Sequence, residues 1–150
     1  MGFIFAIIAG AAMSIQGVFN TRVSEKIGLL ESNAIVQGTA FLLAIIAVMI
    51  FGKGDILKIN ECNKLYLTGG IIGFFITITV MLAISNLSPT IAISVILIAQ
   101  LLVAALIDAF GLFGAKRVPF DFTKYIGIIL MIAGVIVFKY RSWYKNQLLF

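Results

Sequence analysis

The eleven Lys/Arg and six Asp/Glu residues of this 150-residue chain fall, with one exception, between five long apolar runs, at their ends or in the C-terminal tail. Charge this sparse cannot cover a soluble globule. Apolar residues make up 62% of the chain and charged residues 11%, against about 45–50% and roughly 25% in an ordinary soluble domain. That excludes a cytosolic enzyme, a nucleic-acid-binding domain and a disordered tail, and makes the lipid bilayer the solvent. A net charge of +5 and a pI near 9.6 would suggest nucleic acid in a soluble protein. In a membrane chain, loop cations set topology instead, so no nucleic-acid partner is expected.

Histidine is absent and Cys62 is the only cysteine. One chain therefore has no His/Cys metal site, no Ser-His or Cys-His catalytic unit and no intrachain disulfide. No metal, cofactor or enzymatic activity is expected. The N-terminal run lacks the positive n-region of a signal peptide and is too long for one, so it reads as a retained helix.

A spanning helix takes about 20 apolar residues. The runs predict five, over approximately 2–20, 34–51, 65–86, 89–113 and 125–140, in an all-α polytopic membrane protein with a single transmembrane domain. Ser32 or Asn33 is expected to cap the second helix, and Ser88 the fourth, with Pro89 at its first position. The uncharged core of the fifth run is short, but Lys124 and Lys139 can snorkel at its ends. Tyr140, Trp143 and Tyr144, interleaved with Arg141 and Lys145, have interfacial composition.

With five spans the termini lie on opposite sides. Lys53, Lys58, Lys64, Lys116, Arg117 and Lys124 then share the N-terminal side, and Arg22, Lys26, Lys139, Arg141 and Lys145 the other. Six cations against five is almost no orienting bias. Either a few well-placed residues fix one orientation, or copies insert both ways and pair antiparallel. Inverted-topology repeats build many transporters, and a five-helix chain would supply one half. Its partner would be a second copy or a related half-transporter.

The exceptional charge is Asp108, near the end of the fourth run. An acid at that depth is costly and marks an ion or substrate pathway by default; alternatively it reaches interfacial water or pairs with Lys116 or Arg117. Burial raises a carboxyl pKa and a nearby cation lowers it, so a group balanced between the two can exchange a proton for a cationic substrate. Gln100 lies about 12 Å earlier along the axis, with Ala104 between them, and reads as a ligand contact or as helix glue. Gln16 and Asn20, at i and i+4, share a face of the first helix and must find partners or water. Gln37 is similar but nearer a helix end. Gly69 and Gly73, and the stripe Ala6, Gly10 and Ser14, are expected to be helix-packing faces. Phe5, Phe19, Phe41, Phe74, Phe75, Phe110 and Phe113 are either lipid-facing filler or part of an aromatic cage for an organic cation.

Gly10-(x)5-Gln16-(x)3-Asn20, Leu67-x-Gly69-Gly70-x-x-Gly73, Gln100, Asp108-x-Phe110-Gly111-Leu112-x-Gly114 and Gly127-(x)6-Gly134-Val135 follow in that order. Together they resemble the small five-helix, YdcZ-type branch of the drug/metabolite transporter superfamily. The resemblance covers nearly the whole chain. It implies a multi-pass protein of a prokaryotic inner (cytoplasmic) membrane, an exporter acting as a dimer or as paired half-transporters, with Gln16, Asn20, Gln100 and Asp108 on the family's polar positions. Val36-Gln37-Gly38-Thr39 departs from the Ser-Phe that the family tends to place before its Gly-Thr. Four-helix multidrug exporters of the superfamily carry a glutamate on helix 1; this chain has none, so any coupling carboxylate must be Asp108.

The expected function is that of a homodimeric, antiparallel secondary transporter for a small polar or cationic organic compound. Asp108 would supply charge or proton coupling, and Gln16, Asn20 and Gln100 polar contacts. The alternatives are a small dual-topology ion channel lined by the same amides, and a non-transporting accessory subunit in which they are helix glue.

Overall fold

The computed structural model describes residues 1–118 and 121–147, with side chains described as far as Tyr140. The interfacial residues Arg141, Trp143, Tyr144 and Lys145 thus lie outside the described side chains. Among the described residues the regular structure is all helical, with five α-helices: α1 (Gly2–Ile27), α2 (Leu29–Phe51), α3 (Gly69–Asn86), α4 (Pro89–Phe110) and α5 (Phe122–Gln147). All five supply spans long and apolar enough to cross a bilayer, α3 together with the 3₁₀ turn Lys64–Thr68 before it. The chain divides into two compact units, Met1–Asn86 and Leu87–Phe150.

In the first unit α1, α2 and α3 each pack against the other two. Gly17 makes the tightest approach. A Cβ there would lie 2.9 Å from Ile84 Cδ1 and 3.2 Å from Val80 Cγ1, so the missing side chain is what lets α3 close onto α1. Met81 and Ile84 are buried beside it. The first two helices are longer than the apolar runs suggest, because a polar or charged residue at a helix end can stay helical while its side chain reaches water. Arg22, Glu25 and Lys26 belong to α1, and Arg22 pairs with Glu25 at 3.0 Å. Only Gly28 separates α1 from α2, at φ 106°, a value that glycine adopts without steric cost.

Ser32 and Asn33 therefore do not cap α2, as the sequence suggests. They sit inside its first turns, fully buried. Ser32 Oγ donates to the Asn20 carbonyl at 3.1 Å, tying α2 to α1. Hydroxyls elsewhere in the unit bond back along their own helices: Thr21 to Gly17 O at 2.8 Å and Thr77 to Gly73 O at 3.0 Å. Donors without water must find acceptors in this way. Between α2 and α3, the side chains of Asp55 and Asn63 accept from the backbone N–H groups two residues on, each at 3.0 Å, and start two 3₁₀ turns. Cys62 lies exposed between those turns.

The second unit is the hairpin of α4 and α5. Ser88 caps α4 as expected, accepting from Ile91 N–H at 3.4 Å, with Pro89 at the helix start. The helix stops at Phe110 rather than near 113. Gly111 turns left-handed at φ 65°, and Phe113 and Gly114 follow at φ 55° and 79°. The Val118 N–H closes the turn on the Asp108 carbonyl at 2.9 Å, and Arg117 Nε donates to the Ala109 carbonyl at 3.0 Å. Acceptors left open at the helix end are thereby satisfied.

Candidate functional site

Asp108 lies two residues before the end of α4, partly buried, and lines a cavity of about 240 Å³ between α4 and α5. From α4 the lining residues are Leu101, Ala104, Ala105 and Asp108; from α5 they are Lys124, Gly127, Ile128 and Met131. Both sets follow the i, i+3, i+4, i+7 spacing of a single helix face, so two matched stripes confront each other. The space exists because Ala104, Ala105 and Gly127 are small where the helices face each other. Asp108 and Lys124 give the walls one anionic and one cationic group, and the rest is apolar. Lys124 lines this cavity from the start of α5, where the sequence suggests only a flanking cation reaching for the interface. Its place on one stripe with Gly127 and Met131 is the signal that could have revealed it.

Asp108 and Ala104 share the cavity, as their spacing suggests. Gln100 is exposed and its neighbour Leu101 takes the lining position. In the first unit, Gln16 is exposed and Asn20 partly buried, while the adjacent stripe of Gly17 and Thr21 faces the core. Gln37 is engaged: its Nε2 donates to Thr77 Oγ1 across to α3 at 3.4 Å. Asn33, read from sequence only as a cap, joins it in the core. Its Nδ2 donates to the Phe74 carbonyl at 3.4 Å, and its Oδ1 is buried without a hydrogen-bond partner among the described residues.

Gly10, Gly69 and Gly73 have no described residue of their own unit within 4 Å of where a Cβ would stand. Ser14 Oγ bonds back to Gly10 O at 3.0 Å. All seven candidate cage phenylalanines are at least 40% exposed. The one ring pair among the described residues is Phe74 with its neighbour Phe75, edge to face at 5.4 Å.

The family model described as "Putative inner membrane exporter, YdcZ" matches residues 1–137, which takes in the first four spans, the fifth as far as Val137 and both stripes of the cavity. Neither the curated proteins nor the solved structures contain a significant match to the chain. Five apolar helices and a family match over nearly the full length converge: the chain belongs to the YdcZ family of inner-membrane exporters.

Proposed function

We propose that this protein is a secondary transporter that exports a small polar or cationic organic compound, with Asp108 as the charge that binds the cargo or exchanges it for a proton. The observation that carries this reading is the position of Asp108 on the wall of a small, mostly apolar cavity inside a membrane-spanning hairpin. A carboxylate placed there is costly unless it serves a pathway. The cavity also has the character of a ligand pocket, apolar with a few polar groups that fix orientation.

The working assembly in this reading is a dimer of two antiparallel copies, or of this chain with a related half-transporter. Gln16 and Gln100 support it. Both amides are exposed on helices that cross the bilayer, where an unsatisfied polar group costs several kcal/mol, in order-of-magnitude terms. A second copy or a water-filled passage would satisfy them, together with Asn20. The open faces at Gly10, Gly69 and Gly73 are where another chain's backbone could approach closely. The near-balance of loop cations leaves both orientations accessible.

Reconstitution in proteoliposomes tests the reading. Counterflow of small organic amines should be present in the wild type and depend on pH. Asp108→Asn, inserted equally well, should lose both the flux and its pH dependence. Unchanged flux with unchanged pH dependence would refute the assignment of Asp108.

A further inference from the structure

The 3₁₀ turn Ile56–Glu61 lies in the connection between α2 and α3, outside every span, yet its first, second and fourth residues are large and apolar. Ile56 is 78% exposed, Leu57 80% and Ile59 47%. No other helix of its unit packs against the turn. We propose that this turn lies flat in the surface of the bilayer that the protein spans. Ile56, Leu57 and Ile59 dip among the upper acyl chains, and Lys58 and Glu61 face the headgroups and water.

Side-chain spacing is the first reason. A 3₁₀ helix has roughly three residues per turn, so positions i and i+3 lie one above the other. Ile56 and Ile59 therefore form one edge of the turn, Lys58 and Glu61 a second, and Leu57 and Asn60 the third. The turn is amphipathic at its own period, as segments that lie along a membrane surface are at theirs. Single exposed apolar residues are ordinary on any protein. Three of them within four positions, on a segment with no partner helix, make a patch that marks a contact surface.

Location is the second reason, and it names the occupant. The connection is tethered to the bilayer at both ends, since α2 ends at Phe51 and the next span begins at Lys64. Phe51 before the turn, and Leu65 and Tyr66 after it, are exposed as well, so apolar surface runs through the connection from one span to the next. Lysine and tyrosine at a span end mark the headgroup level, and Lys64 and Tyr66 set that level beside the turn. Asp55 and Asn63 hold the connection in turns, each side chain accepting from the N–H two residues on at 3.0 Å. The polar edge carries one cation and one anion, Lys58 and Glu61, which matches the mixed charge of a headgroup layer. The long stem of Lys58 can rest on apolar surface while its ammonium group stays in water.

The test is the collisional accessibility of a nitroxide placed along the turn. Cysteine is substituted singly at positions 56, 57, 58, 59 and 61 in a Cys62→Ser background and spin-labelled. The full-length protein is then reconstituted in vesicles of phosphatidylcholine and phosphatidylglycerol. Oxygen, which concentrates among acyl chains, and a water-soluble nickel chelate serve as relaxing agents. The ratio of oxygen to nickel collisions should be several-fold higher at 56, 57 and 59 than at 58 and 61. High salt should leave that pattern unchanged, because it screens charge but does not weaken apolar burial.

Nickel-dominated collisions at all five positions would overturn the proposal, as would a uniform ratio along the turn or a pattern that high salt erases. Protection of 56, 57 and 59 from both agents would also overturn it, by showing that a protein surface covers them instead of lipid.

Discussion

Gly17 is the residue on which the three-helix unit closes. Its hydrogen occupies a place where a methyl group would meet Ile84 Cδ1 at 2.9 Å, while Gly10, two turns earlier on the same helix, faces open space. The two glycines look alike in sequence, and the Gly69-x-x-x-Gly73 spacing looks more like a packing motif than either. Spacing shows that close approach is possible; it does not say which face has a neighbour. Gly17→Ile should therefore cost about 1–3 kcal/mol by overpacking, read as a lower unfolding midpoint in detergent, whereas Gly10→Ile should leave the monomer's stability unchanged. Equal effects would contradict the α1–α3 contact. Asn33 shows the same ambiguity among polar residues. Its composition suits a helix cap or a core amide equally, and only the extension of α2 back to Leu29 decides for the core.

At the scale of elements, the apolar runs made all five spans legible, because lipid leaves the backbone no other way to satisfy its hydrogen bonds. The Ser88–Pro89 start of α4 was legible for the same local reason that makes such pairs common. Helix ends were less so where polar residues stay helical, as in α1 and α2. The end of α4 depends on Gly111, whose φ of 65° an L-residue adopts only at a cost, and whose Cβ would stand 3.3 Å from the Ala115 carbonyl. Gly111→Ala should destabilise the turn by about 1–2 kcal/mol, seen as faster amide hydrogen exchange over residues 108–118. Unchanged exchange there would show that the turn does not hold the helix end. This turn also fixes the carbonyl of Asp108 through Val118. Asp108 stood out in sequence because it was the one charge inside a run. Lys124 did not, because a cation at a span end usually seeks the interface, and only the register of α5 turns it toward the cavity.

For the whole molecule, the proposal that both orientations are accessible rests on a count of six cations on one side and five on the other. Cys62, exposed between α2 and α3, reports the choice directly. A membrane-impermeant maleimide applied to intact cells should label about half of the copies if both orientations are populated; labelling near zero or near completion would establish a single orientation. The central claim concerns the cavity between α4 and α5, and a thiol placed in its wall tests it most directly. In a Cys62→Ser background, Ala104→Cys should react with a small methanethiosulfonate reagent, and a saturating small amine, 3-methylbutylamine, should slow that reaction in proportion to occupancy. The added Asp108→Asn change should abolish the protection by 3-methylbutylamine. A reaction rate at position 104 that 3-methylbutylamine does not alter would contradict the account of this cavity as the cargo site.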